Sequence, residues 1–166
     1  MILIMIKVMT VIIVSSQWTQ HFDRCLTGSS AQYDPAGFSA YAADDASYTY
    51  EDPVEFTGII SNIGDHYNRF NSSFMCPRRG VYLFNLNVLP QGGYYVTFDL
   101  MLDSVFIAEA YCNDGTYAHN QVASLSVVIE CDAGQAVWVR AGYSSYVTGG
   151  SDRNSVFTGY MLYPYK

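Results

Sequence analysis

Basic residues are scarce in this chain. Eight Lys and Arg stand against fifteen Asp and Glu, for a formal net charge of -7 over 166 residues. That excess of acid argues against a phosphate-backbone binder, which needs a basic stripe, so nucleic acid is not an expected partner. It leaves cationic partners or calcium open, although net charge speaks first to solubility. Helix signals are also few. No heptad run supports a coiled coil, and no Gly-X-Y period supports a collagen triple helix. His21, His66 and His119 lie in expected loops without metal-ligand spacing, and no motif ties a Ser or Cys to a base. Gly92-Gly93 and Gly149-Gly150 read as turn glycines, because a phosphate loop needs a following helix and Lys. An enzyme is therefore not expected.

Long apolar runs are absent except at the start. Met1 to Val14 is broken only by Lys7 and Thr10 and ends in Val14-Ser15-Ser16. The run is short for a membrane span and fits a secretory signal, residues 1–16, cut at Ser16/Gln17. Secretion, and no membrane insertion after cleavage, follow as expectations. Residues 17–36 mix polar residues without period and read as a poorly ordered leader. Residues 37–166 form the expected globular domain.

What is abundant there is Tyr, Phe, Val, Thr and Ser, with Gly at short intervals. The clearest stretch runs from Phe74 to Val88. Pro77 and Gly80 bracket a bend. Beyond it, Tyr82, Phe84, Leu86 and Val88 alternate with Val81, Leu83, Asn85 and Asn87, the pattern of a strand with one buried face. Similar strands are expected over 37–42, within 53–60, over 94–102, 105–111, 122–131 and 136–140, and over 155–163. Asp103-Ser104 reads as a hairpin turn. About ten short strands at regular spacing indicate an all-β, antiparallel double-sheet jelly roll. Stretches 44–52, 112–120 and 143–154 read as loops. The four carboxylates of 44–52 suit a solvated acidic loop; calcium takes oxygen ligands, but the ordered spacing of an EF-hand is missing.

The marks along the chain are Phe38-Ser39-Ala40, Pro53-Val54-Glu55-Phe56, Asn62-x-Gly64-x-x-Tyr67 and Phe74-x-Cys76-Pro77-x-x-Gly80-x-Tyr82-x-Phe84. Ala123 to Ile129, Gly134-Gln135-Ala136-Val137-Trp138-Val139 and Phe157-Thr158-Gly159-Tyr160-Met161-Leu162-Tyr163-Pro164 follow. In this order the chain resembles the globular head domain of complement C1q. Ser73 replaces a usual glycine and Ala136 a common aspartate. The resemblance implies a ten-stranded jelly roll shared with the tumour necrosis factor family, a homotrimer, secretion and ligand recognition. Without a collagen stalk it looks like the short secreted type, often implicated in innate immune recognition of microbial surfaces. Microbial surface glycans are thus the expected partners, and a cell-surface receptor or a structural assembly is the alternative.

The resemblance also implies that Cys76 is a buried free thiol. Cys112 and Cys131 match a disulfide position found in some members, which leaves Cys25 to join chains. Asn71-Ser72-Ser73 is an N-glycosylation sequon. Tyr48, Tyr50, Tyr117, Tyr143 and Tyr146 lie in expected loops, where rigid amphipathic rings serve either ligand contact or packing between subunits. Asp114 and Asp152 join them as candidate ligand contacts. With the Asp44/Asp45 pair they are also candidates for calcium, a cofactor left open, without an assigned ligand role.

Overall fold

The computed structural model describes residues 35–90, 95–113, 121–143 and 145–165. The expected signal segment, Cys25, Asp114 and Tyr117 lie outside these residues. Among the described residues twelve strands are formed: β1 (Gly37–Tyr41), β2 (Ala46–Tyr48), β3 (Gly58–Ile63), β4 (Tyr67–Asn68), β5 (Ser73–Met75) and β6 (Gly80–Val88) come first. Then follow β7 (Tyr95–Leu102), β8 (Val105–Asn113), β9 (Ala123–Cys131), β10 (Ala136–Ala141), β11 (Ser145–Val147) and β12 (Val156–Pro164).

Ten of them build two five-stranded antiparallel sheets, in the orders β3-β1-β12-β6-β9 and β4-β5-β10-β7-β8. This is the expected all-β sandwich. The remaining two, β2 and β11, pair with each other inside stretches expected to be loops. Three-residue strands carry too little alternation to show in a sequence.

The core lies where the two sheets face each other. Tyr82, Phe84, Leu86 and Val88 on β6 are fully buried, as their spacing requires. Opposite them, Val96, Phe98 and Leu100 on β7 and Val137 and Val139 on β10 are equally buried. Phe74 joins the two sides. Its ring centroid lies 5.1 Å from Phe38, 6.0 Å from Tyr82 and 5.9 Å from Phe84. Gly159 is required by this packing, since a Cβ there would stand 2.4 Å from the Phe84 ring.

Polar groups at the ends of the sandwich are matched. The Tyr82 hydroxyl donates to the Arg78 carbonyl at 2.7 Å, and burial pushes this phenol up to about 12. Ser155 is wholly buried; its hydroxyl donates to Thr148 O and accepts the Leu89 N–H. Ser155→Ala strands both groups, and a loss of about 2 kcal/mol is expected in chemical denaturation.

Candidate functional site

The outer face of the second sheet holds the site. Because side chains alternate, the register of three strands decides which residues meet there. Arg140 on β10 pairs with Asp99 on β7, and Asp99 pairs with Glu109 on β8. The adjacent rows are Trp138–Met101–Phe106 and Thr97–Tyr111. The segment Tyr50–Val54 lies across the β10 edge. Glu51 N–H donates to Ala141 O at 2.8 Å, Ala141 N–H donates to Asp52 O at 2.9 Å, and Val54 N–H donates to Val139 O. Asp52 Oδ2 accepts both the N–H and the hydroxyl of Thr49, which fixes the bend before this segment.

Charge on this face is unbalanced. Arg140 Nε and Nη2 both donate to Asp99 Oδ2, at 3.1 and 2.7 Å, and Nη1 reaches Glu51 Oε1 at 3.4 Å. The hydrogen bond to Asp99 holds the Arg140 guanidinium above its ordinary pKa. Glu109 stands directly across from Asp99, exposed, and has no ion pair among the described residues. Like charges placed opposite one another in a sheet repel. Arg140 answers Asp99 and Glu51, and Glu109 is left over.

Aromatic rings wall this acidic floor. Tyr50, Phe106 and Tyr143 line an open cavity of about 620 Å³ together with Asp99, Glu109, Arg140 and Gly142. That volume suits a small ligand. Tyr143 meets Tyr95 edge-on at 5.2 Å, and Tyr95 meets Tyr111 edge-on at 5.1 Å. Desolvation, then the neighbouring Tyr111, Tyr143 and Glu109, push the Tyr95 phenol up. Beneath the rim, Thr97 Oγ1 is buried without a hydrogen-bond partner among the described residues. Gly142 covers it so closely that a Cβ would lie 2.1 Å away.

Of the sequence candidates, Tyr50 and Tyr143 converge here. Tyr48 does not. It is 9% exposed, its hydroxyl accepts the Glu55 N–H at 3.0 Å, and burial raises its pKa, so it is a framework residue. Tyr146 is half-buried on β11 beside Asp45, and Asp152 is exposed in the turn before β12. Asp45 Oδ1 accepts the Gly149 N–H at 2.8 Å. Among the described residues, no three His, Cys, Asp or Glu side chains gather as a metal site would need. Asn71 is exposed, and its Oδ1 accepts the N–H and hydroxyl of Ser73.

The expected Cys112–Cys131 bridge is corrected by the register. Cys112 stands at the end of β8, with its Sγ turned toward Gln121 at 3.7 Å, and no bond joins it to Cys131. Cys131 closes the far end of β9. The strand between Ala123 and Cys131 spans roughly 27 Å at about 3.3 Å per residue. A disulfide needs Cα atoms within about 7 Å.

Asp99, Glu109, Arg140 and Phe106 escaped the sequence reading. The one signal was Asp99 itself, a carboxylate alternating with Phe98 and Leu100 in an apolar strand. Its neighbours come from distant strands and are visible only in the register.

With the geometry in place, likeness to known proteins adds the lineage. The sequence profile of the C1q domain matches residues 37–162. The chain belongs to the C1q domain family. Zebrafish (Danio rerio) Caprin-2 is 30% identical over 126 residues, which are 75% of this chain and 14% of Caprin-2. Mouse (Mus musculus) complement C1q tumor necrosis factor-related protein 2 is 28% identical over 67% of this chain and 38% of its own. A complement C1q subcomponent of cattle (Bos taurus) is 28% identical over 68% of this chain and 45% of its own. The chain thus spans less than half the length of these relatives. Among solved structures, the globular domain of zebrafish complement 1qA superposes with a TM-score of 0.63 at 21% identity, covering 78% of this chain and 99% of that one. The Eiger tumour necrosis factor of S. frugiperda superposes with a TM-score of 0.67 at 8% identity, covering 81% and 96%. The C1q domain family is a binding family, not one of enzymes.

Proposed function

We propose that this C1q-domain protein is a secreted pattern-recognition molecule of innate immunity, which binds repetitive microbial or glycan surfaces through trimers. The observation that carries the reading is the convergence of Tyr50, Tyr143 and Phe106 on the uncompensated Glu109. Rings stack on sugar faces, and a carboxylate accepts hydroxyl or ammonium donors. Three carboxylates around one guanidinium disfavour sialylated or phosphorylated ligands, so neutral and amino-bearing glycans fit best.

The trimer has a candidate contact face of its own. On the outward side of the first sheet, Tyr160, Leu83 and Val128 align across β12, β6 and β9, beside Ile63. Tyr160 is 42% and Val128 55% exposed, an apolar row that assembly would cover. Three weak sites on one body gain avidity where the target repeats at matching spacing.

A second reading, receptor clustering by a signalling ligand, draws on Phe70. This ring is 91% exposed on the rim of another cavity, lined by Asn62, His66 and Arg69. An exposed aromatic anchor suits a protein partner.

Calorimetry with glucosamine, N-acetylglucosamine and sialylated oligomers tests the first reading. Binding is expected for the first two, and Glu109→Gln is expected to weaken the glucosamine complex about tenfold, equivalent to about 1.4 kcal/mol. Binding unchanged by Glu109→Gln but lost in Phe70→Ala moves the function to the other cavity. No heat with any sugar removes the glycan reading.

A further inference from the structure

We propose that Cys76 and Cys131 form a disulfide that ties the first sheet to the second. The chain passes between the sheets twice at one corner of the sandwich. It leaves the second sheet after Met75 and enters the first at Gly80; it leaves the first after Cys131 and enters the second at Ala136. The two crossings run side by side. Cys76 N–H donates to Gln135 O, Gly134 N–H donates to Cys76 O, both at 2.8 Å, and Cys131 is the register partner of Gly80. Each cysteine therefore stands at the point where its crossing leaves a sheet, and both side chains turn into the same buried corner.

The two cysteines are 0% and 2% exposed, their thiols interact, and no S–S bond joins them in this structure. No third ligand accompanies them among the described residues, so this pair is built for a bond to each other, not for a metal. Cys112, turned toward Gln121 at the other end of the molecule, does not compete.

The chemistry is thiol–disulfide exchange with a small-molecule or protein disulfide. One S–S bond forms between Cys76 and Cys131. The oxidant's S–S bond breaks, it accepts two electrons and two protons, and it leaves as two thiols. The attacking species is a thiolate. The interaction with Cys131, followed by burial, holds the Cys76 thiol well above its ordinary pKa, and both cysteines are buried where a disulfide oxidant cannot reach them in the closed sandwich. Exchange must then occur before the corner closes. The bridge is a staple set during folding, and once set it is shielded from reductant. This inference is independent of the ligand reading.

The test is to refold the full chain from reduced, denatured protein in a glutathione redox buffer, then alkylate under denaturing conditions and map peptides by mass. A Cys76–Cys131 linked pair, two hydrogens lighter than the reduced sum, is the expected product. Oxidised glutathione added to already folded, reduced protein is expected to form it much more slowly. Strong reductant with denaturation and refolding should lower Tm by several degrees in the native sequence and leave a Cys76→Ala/Cys131→Ala variant unmoved. Alkylation of both cysteines after oxidative refolding, or their linkage to Cys25 or Cys112, overturns the proposal.

Discussion

Phe74→Ala is expected to destabilise the domain by about 4 kcal/mol, a lower denaturant midpoint at an unchanged slope. The ring is wholly buried between the sheets and touches aromatic neighbours on several sides. It stacks on Phe38, meets Tyr82 and Phe84 edge-on, and receives the His66 ring edge-on at 6.4 Å. Alanine forfeits the transfer free energy of the ring and opens a void. The neighbours are ill placed to fill it: Phe38 is held by Tyr67 at 4.3 Å and Phe157 at 4.9 Å, and the Tyr82 hydroxyl is anchored on Arg78. Phe70→Ala, at an almost fully exposed ring four residues earlier, is the control and should change stability by less than about 0.5 kcal/mol.

The second large effect belongs to Arg140→Met, expected to cost about 3 kcal/mol. Methionine keeps much of the stem's volume but removes the guanidinium. Asp99, only 5% exposed, then loses both donors to its Oδ2 and faces Glu109 across the strand pair with nothing between. The Arg140 side chain is itself 21% exposed, which holds the cost toward the low end for a buried pair. Adding Asp99→Asn should recover more than half of the loss, because the uncompensated charge is gone. A double-mutant cycle from urea denaturation measures this coupling. Equal, additive losses would mean that the pair contributes little beyond its packing.

These two residues show how far the sequence could be read. Phe74 belongs to a stretch whose alternation is local, so burial of Tyr82, Phe84, Leu86 and Val88 followed from spacing alone. The order of marks from Phe38 to Pro164 then carried the family and its sandwich. Arg140, Asp99 and Glu109 carry no such local signal. They become neighbours only through the register of β10, β7 and β8, which depends on the bulge between Leu100 and Met101 and on the turn at Asp103. Asp103 adopts a φ of 52°, and its carboxylate accepts the Ala136 N–H and the Gln135 amide.

Loop tyrosines were partly legible. Tyr50 and Tyr143 reach the cavity from two separate loops, but Tyr48, two residues away, turns inward because β2 pairs with β11. Cysteine pairing was the least legible feature. Spacing leaves several pairings open, and it is the side-by-side passage of two crossings that brings Cys76 to Cys131.

The proposed function turns on multivalent binding through the outer face of the second sheet. The most direct measurement is the dissociation rate of the intact protein from surfaces carrying glucosamine oligomers at graded density. Dissociation is expected to slow steeply as density rises, to speed up with free oligomer, and to be faster for Glu109→Gln at every density. Dissociation that is the same at every density, or unaffected by Glu109→Gln, would contradict the proposed function.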